Sequence, residues 1–254
     1  MWPLPQPSGE LQWFERRSDD IRAWLHPRVG PELSSAWVQQ APELEPSRPG
    51  DRSRESCRSA DGRWFLKRRP GGPRRMLAAL ARGLELEEAG LPIPVHLAVL
   101  HTRSGPGAPH TTLITEALEA LDLDEALRAR PPAEQAPLLD ALGELVATLH
   151  DAGYRQRDLK APNILVTDAG ALALVDLEGV RRSRSPFQHE KDLGRLAASF
   201  LALGDAVAEP QRWLASYQAH GECATARNRH LAKRVRRLAE RKQTQNARRG
   251  RPLR

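Results

Sequence analysis

The most informative segment of this chain is His150-Asp-Ala-Gly-Tyr-Arg-Gln-Arg-Asp158-Leu-Lys160-Ala-Pro-Asn163-Ile-Leu-Val166, which is followed shortly by Leu174-Val175-Asp176. Residues 164–166 and 171–175 are short apolar runs, and the residues between them have the composition of a turn. We therefore predict an antiparallel hairpin, in which the start of the first strand lies beside the end of the second. Asn163 and Asp176 should then face one another.

This predicted hairpin brings together oxygen-bearing side chains of complementary chemistry. An amide oxygen and a carboxylate are ligands that Mg²⁺ accepts while it keeps coordination positions for phosphate oxygens, so Asn163 and Asp176 are candidate magnesium ligands. Asp158 lies five residues before Asn163, on the loop that enters the hairpin. From there its carboxylate can accept a proton from a hydroxyl that attacks a metal-bound phosphate.

The same residues resemble a known superfamily. Residues 157–163, Arg-Asp-Leu-Lys-Ala-Pro-Asn, are similar to the catalytic loop of the protein-kinase-like superfamily, and residues 176–179, Asp-Leu-Glu-Gly, resemble its metal-binding segment. The resemblance implies that the chain binds ATP and Mg²⁺ and that Asp158 is the catalytic base. It also implies that Lys160 reaches the transferring phosphoryl group and offsets its charge.

Further positions match the nucleotide site of that superfamily. Lys67 ends a predicted strand and corresponds to the lysine that holds ATP phosphates, with Glu85 as the candidate partner, although it lies later in its helix than the family would place it. Backbone groups of Glu116 to Leu118 would bind adenine. A Gly-x-Gly-x-x-Gly loop is absent from the sequence, and residues 47–56 stand in its place.

Three positions leave alternatives open. Glu178 is a candidate ligand for a second Mg²⁺, or it pairs with the arginines that follow it. Asp192 either positions the catalytic loop, as a helix aspartate does in the superfamily, or is a helix N-terminal acid favoured by the macrodipole. Gln156 replaces the usual histidine of the catalytic loop, a change that affects local packing more than chemistry.

Composition limits the class of protein. A chain of 254 residues fits one large domain or two lobes. Its two cysteines have no CxxC spacing, so neither a disulfide framework nor a zinc site is indicated and a reducing compartment is expected. The sequence contains no signal peptide pattern and no apolar run of membrane-spanning length, so we expect a soluble, unprocessed, cytoplasmic chain.

Positive charge is concentrated at the C-terminal end. Residues 225–254 contain twelve Lys or Arg and one Glu, a net charge of +11 against +7 for the whole chain, so residues 1–224 carry −4. Leu231, Val235 and Leu238 recur there at helical spacing. Three interpretations follow: an interfacial helix in peripheral contact with an anionic membrane, a disordered tail, or a packed last helix.

The order of predicted elements indicates an α+β, bilobal, protein-kinase-like fold. Strands and one helix, from Gly71 to about Ala89, precede Glu116, and mostly helices follow. We predict a small antiparallel-sheet N-lobe over 1–116, with 1–40 as a candidate extension and a short helix at 13–25. A reduced helical C-lobe over 117–224 and a basic tail over 225–254 would complete the chain.

The short predicted C-lobe limits the class of molecule that can be the phosphate acceptor. Only 48 residues separate Asp176 from position 224, and no Ala-Pro-Glu motif follows, which favours a small or carbohydrate acceptor over a polypeptide. The order of the motifs is similar to that in the bacterial lipopolysaccharide core kinases, the Kdo and heptose kinase family. That resemblance implies transfer of the ATP γ-phosphate to a sugar hydroxyl of the lipopolysaccharide inner core. Such an acceptor is anionic, and Arg181, Arg182 and Arg184 would attract it.

Three other classes of function remain open from the sequence. A Ser/Thr protein kinase is favoured by Lys160 and opposed by the short C-lobe. A pseudokinase scaffold is suggested by Gln156 and by the missing glycine loop. A nucleic-acid-binding protein would use the basic tail, but the tail contains no interleaved aromatic residues, so we do not expect nucleic acid as a partner.

Overall fold

The chain divides into two compact units, Met1–Leu118 and Glu119–Arg254. The computed structural model describes residues 14–248 with gaps at 19, 27, 31, 33–34, 38–54, 60 and 104–108. The segment at 47–54, which makes up most of the region in the position of the glycine loop, therefore lies outside the described residues.

The strands of the first unit are β1 Phe14–Arg17, β2 Ile21–Leu25, β3 Glu55–Arg58, β4 Trp64–Pro70, β5 His96–Thr102 and β6 His110–Glu116. They form one six-stranded antiparallel sheet with the order β1-β2-β5-β6-β4-β3. Helix α1, Arg74–Glu88, packs on this sheet and ends before Gly90, whose φ is 74°, as its sequence predicts.

The predicted short helix at 13–25 is wrong, because its described part forms the hairpin β1–β2. Ser18 makes the turn: its backbone N–H donates to the Ile21 carbonyl at 2.8 Å, and its hydroxyl accepts from the Ile21 N–H at 3.2 Å. Ile21 and Leu25 pack into one core, whereas Trp24 packs into another with Leu80 of α1. This alternation belongs to a strand buried on both faces. The hairpin adds two strands beyond β5.

The second unit is mainly helical. Its strands are β7 Ala120–Asp122, β8 Tyr154–Gln156, β9 Ile164–Thr167, β10 Leu172–Leu174 and β11 Val180–Arg182. They form two small sheets with the orders β10-β9-β7 and β11-β8. The helices are α2 Leu123–Ala129, α3 Pro132–Asp151, α4 Pro186–Leu203, α5 Arg212–His220 and α6 Leu231–Arg248. A sheet-rich unit followed by a helical unit confirms the predicted α+β class.

Helix α6 lies within the predicted basic tail and packs against α4. Leu231, Val235 and Ala239 are buried, and a Cβ on Gly194 of α4 would lie 2.5 Å from the Leu238 Cβ. Of the three interpretations of the tail, the packed last helix is therefore the one that residues 231–248 adopt. Among the described residues, no helix combines the length and apolarity needed to cross a bilayer.

Candidate functional site

The predicted hairpin is present, and it sets the geometry of the site. β9 and β10 pair with Leu174 opposite Ile164, and the Val175 N–H donates to the Asn163 carbonyl at 3.0 Å. The turn between them contains Gly170 at a φ of 79°. Val175 is thus the residue opposite Asn163, and Asp176 lies one residue further along the chain, so the prediction that Asn163 and Asp176 face one another is wrong by one residue.

Asp158 is contacted from two sides by the residues predicted to act with it. Lys160 Nζ lies 3.1 Å from Asp158 Oδ2. Asn163 Nδ2 donates to the Asp158 carbonyl at 2.8 Å and lies 3.4 Å from Oδ2. Because the side chain of Asp158 is 56% exposed, its carboxylate is oriented by the protein yet open to a reactant. The loop is anchored beneath it by Leu159, which is fully buried.

Asp176 adopts the left-handed backbone conformation, with φ 57° and ψ 52°. Among the described residues it is the one non-glycine residue with positive φ. Asp tolerates this region better than most residues, but the conformation still costs on the order of 1 kcal/mol, and such residues cluster at functional sites. The Asp176 carbonyl accepts from Gly179 N–H at 3.3 Å, and its side chain is exposed.

The donor set around this turn is made of oxygen atoms. Since Asn163 uses its amide nitrogen on Asp158, its Oδ1 is the atom that can ligate a cation. Asp176 adds an exposed carboxylate, and Glu178 lies in the short 3₁₀ turn Leu177–Gly179 with 8% exposure. The described residues contain no group of three or more His, Cys, Asp or Glu placed to hold a metal. One or two carboxylates with an amide suit Mg²⁺, which usually retains water or phosphate oxygens.

Gln156 joins the predicted catalytic loop to the predicted metal-binding segment. Its side chain is fully buried; Nε2 donates to the Asp176 carbonyl at 3.0 Å, and Oε1 accepts from the Asp158 N–H at 3.3 Å. A Cβ on Gly179 would lie 2.0 Å from that Oε1, so a side chain at position 179 would displace the Gln156 carboxamide from these two bonds. Sequence reasoning gave Gln156 a packing role. The signal that was available is its place two residues before Asp158.

Asp192 anchors the strand that leads into the loop. It is fully buried in α4 and accepts from Arg155 of β8 at 2.9 Å and from Arg195 at 3.0 Å. Burial raises the pKa of Asp192 to about 6, although both guanidinium groups oppose the shift. Because α4 begins at Pro186, Asp192 lies beyond its first turn, and the macrodipole interpretation does not apply.

In the first unit, the structure places two of the predicted nucleotide-binding residues, Lys67 and Glu85, on regular elements. Lys67 is half-buried on β4 opposite Leu113 of β6. Glu85 lies on α1, where it forms an ion pair with Arg82. These contacts leave the pairing of Lys67 with Glu85 a prediction.

The predicted adenine-binding segment follows β6. The Glu116 N–H donates to the Val95 carbonyl at 2.9 Å, and the Leu118 carbonyl accepts from the guanidinium of Arg58. The assignment of Glu116 and Leu118 to adenine therefore stays a prediction, and it concerns main-chain groups that already have these protein partners.

Known proteins are similar to the part of the chain that contains the candidate site. Residues 74–217 match the model of the lipopolysaccharide kinase (Kdo/WaaP) family. The 3-deoxy-D-manno-octulosonic acid kinase of Xanthomonas euvesicatoria pv. vesicatoria (strain 85-10) is 35% identical over 133 residues, 52% of each chain. The protein of the same name from Vibrio parahaemolyticus serotype O3:K6 (strain RIMD 2210633) is 28% identical over 117 residues, 46% of this chain and 48% of that one. The chain thus spans about half the length of these curated relatives.

A solved structure, WaaP in complex with acyl carrier protein, superimposes with a TM-score of 0.62. The match covers 84% of this chain and 97% of that chain at 24% sequence identity, and it shows likeness of fold. The predicted protein-kinase-like fold, with a sheet-rich unit and a helical unit, is confirmed.

Proposed function

The chain belongs to the lipopolysaccharide kinase (Kdo/WaaP) family, and we propose that it transfers the γ-phosphate of ATP to a sugar hydroxyl of the lipopolysaccharide inner core. The observation that carries this proposal is the contact of Asp158 with both Lys160 and Asn163. These three residues lie within the part of the chain that matches the family model.

In the proposed reaction Asp158 orients the acceptor hydroxyl and takes its proton. The hydroxyl oxygen forms a bond to the γ-phosphorus while the bond from that phosphorus to the β,γ-bridging oxygen breaks, and ADP leaves. Lys160, 3.1 Å from Asp158, places a positive charge where the transferring phosphoryl group needs it. Asn163 fixes the loop so that neither group has to be reoriented during the reaction.

The remaining predicted residues would bind Mg-ATP. Asn163 Oδ1, Asp176 and Glu178 would hold Mg²⁺, which when bound neutralises phosphate charge. In the first unit, Lys67 oriented by Glu85 would contact the phosphates. Main-chain groups of Glu116 and Leu118 would contact adenine.

The acceptor in this proposal is an anionic carbohydrate, and basic side chains next to the catalytic loop support it. Strand β11 pairs with β8 so that Arg181 lies opposite Arg155, three residues before Asp158. Arg182 and Arg184 follow on the same exposed segment. The proposed acceptor implies a reaction at the inner face of the cell membrane, so we place the protein in the cytoplasm, with peripheral membrane contact through its basic C-terminal end.

The proposal is tested by incubating purified core oligosaccharide with the protein and Mg-ATP. We expect a mass gain of one phosphate, which Asp158→Asn reduces by at least about 100-fold because the amide cannot accept the proton. Asp168→Asn, in the exposed turn of the same hairpin, is the matched control and should leave the rate within about twofold of wild type.

Two results would contradict the proposal. Unchanged phosphate transfer in Asp158→Asn would remove Asp158 from the chemistry. Transfer of label from radioactive ATP to generic protein substrates, with none to the oligosaccharide, would favour a Ser/Thr protein kinase instead.

A further inference from the structure

Helix α6 separates its apolar and charged residues onto opposite sides, and the apolar side is already used. Leu231, Val235 and Ala239 are buried inside the second unit, and Arg234 forms an ion pair with the buried Glu190 of α4 at 2.7 Å. The helix is therefore held in one orientation. Its other side faces solvent with a fixed pattern of charge.

That outer side carries a straight row of cations, which we call the basic stripe. Its members are Lys233, Arg237, Arg241 and Arg248, all exposed. Spacings of four, four and seven residues place them on one face of an α-helix, along about 22 Å of its axis. In the part of the chain that the structure describes, none of the four forms an ion pair, because Glu240, the one acid of α6, is paired with Arg236.

A groove beside the stripe extends the positive surface. It has a volume of about 630 Å³ and lies between Gln211, next to the start of α5, and the first turns of α6. Three of its six lining residues are cations, Lys233, Arg236 and Arg237, and one is an acid, Glu240, which is paired with Arg236. The groove gives an anionic head group room to approach two cations of the stripe together.

We propose that the basic stripe docks the protein on the surface of an anionic lipid bilayer, by charge and without insertion of apolar side chains. Each exposed Lys or Arg near such a surface adds to the attraction, and a row of four acts over one flat contact. Since the apolar residues of α6 are buried in the protein, the helix cannot enter the acyl region as an interfacial helix would.

The choice of a bilayer over another polyanion rests on the proposed function, because the acceptor is linked to lipid. Single-stranded nucleic acid is disfavoured by the absence of aromatic side chains from residues 231–248. Double-stranded DNA has no such requirement, so it is one of the ligands tested below. Electrostatic binding also predicts that attachment to the bilayer weakens as salt is added, because screening shortens the range of the attraction.

The test is co-sedimentation of the full chain with vesicles of phosphatidylcholine, with and without phosphatidylglycerol. We expect binding that requires phosphatidylglycerol, falls with added salt, and drops at least about tenfold when the four stripe residues are replaced by Gln. A matched control replaces four exposed arginines of the first unit by Gln, with the same loss of charge, and should bind within about twofold of wild type. The control residues are Arg63, Arg74, Arg75 and Arg103.

The outcomes separate this inference from the proposed function. Equal binding by the stripe variant and wild type, or equal binding to both kinds of vesicle, would overturn the docking surface. So would loss of DNA binding in the stripe variant while vesicle binding is unchanged. Salt-sensitive, stripe-dependent vesicle binding by a protein that transfers no phosphate to core oligosaccharide would support the surface and contradict the kinase reaction.

Discussion

At the scale of single residues, one buried carboxamide connects the predicted base and the predicted metal-binding segment. Gln156 donates to the carbonyl of Asp176 and accepts from the N–H of Asp158, so these two residues share one rigid support. A carboxamide has both a donor and an acceptor, and it does not titrate. Its two bonds therefore persist across the pH range in which a histidine would change charge.

We predict that Gln156→Glu lowers the rate of phosphate transfer by about 10- to 100-fold, because it leaves a buried carbonyl without its donor and places a negative charge beside it. Gln156→His, which retains one ring N–H to donate, should recover most of the rate. The measurement is kcat together with the Mg²⁺ concentration needed for half-maximal rate. If both variants had wild-type kcat and wild-type Mg²⁺ dependence, the bridging role would be wrong.

At the scale of secondary-structure elements, α6 packs closely on α4 because α4 has a glycine at the point of contact. The missing Cβ of Gly194 lets Leu238 approach to a distance that no larger residue permits. Interiors are packed densely enough that one extra methyl group must displace something. Here the displaced element would be the whole C-terminal helix, since the Leu238 Cβ is fixed to its backbone.

We predict that Gly194→Ala destabilises the protein by about 1–3 kcal/mol and loosens α6 from the second unit. Trypsin provides a direct readout, because α6 is rich in Lys and Arg that are cleavable only when the helix opens. Cleavage within residues 231–248 should accelerate, as followed by mass spectrometry. Gly72→Ala, where an added Cβ meets nothing within 4 Å, is the control and should digest like wild type.

The elements that the sequence predicts well are those with local signals. Helix α1 is bounded by glycines and proline, and the β9–β10 hairpin has turn chemistry between two apolar runs. Strands β8 and β11 have no such signal: Tyr-Arg-Gln and Val-Arg-Arg become strands because they pair with each other across the unit.

The same distinction applies to the site. Asp158, Lys160 and Asn163 lie within six residues, and their order resembles the catalytic loop of a known superfamily, so the sequence predicts that they act together. The structure places Asp158 in contact with each of the other two. The bridge made by Gln156 requires Gly179, more than twenty residues later, to approach its side chain. No local pattern encodes that approach. The amphipathic pattern of α6 is likewise readable from the sequence, but the pattern does not show that its apolar side packs against α4.

At the scale of the whole molecule, both units bury neutral histidines. Burial lowers the pKa of five of them, and that of His96 falls to about 4; the others are His26, His101, His150 and His189. Asp192 has the opposite effect, because its raised pKa of about 6 favours the folded state at low pH. In the pH dependence of folding stability, the carboxyl group of Asp192 therefore acts against the five histidines.

The sign of the resulting pH dependence follows from proton counting. A histidine with a folded pKa below its unfolded value of about 6.5 binds fewer protons when folded, so its contribution is complete above pH 6.5 and is lost as the pH falls toward the folded value. Asp192 acts in the opposite direction: its contribution to the stability of the folded protein is lost as the pH rises from about 4 to 6. The histidines prevail because the fall in the pKa of His96, from 6.5 to about 4, already offsets the rise in the pKa of Asp192, from 3.8 to about 6, and the pKa values of four further histidines are also lowered.

We therefore predict that the melting temperature falls as the pH is lowered from 7.5 to 5, and that His96 is a main cause. At about pH 5 its burial as a neutral ring costs on the order of 2 kcal/mol relative to pH 7. His26 and Lys67 nearby also disfavour its protonation, and its Nδ1 lies 2.9 Å from the Pro94 carbonyl.

Gln at position 96 retains a donor for that carbonyl but does not titrate, so His96→Gln should flatten the decline in melting temperature measured by thermal melts at constant ionic strength. A variant whose melting temperature declines as steeply as that of wild type would show that the acid sensitivity arises elsewhere, and His150→Gln would then be the next variant to measure.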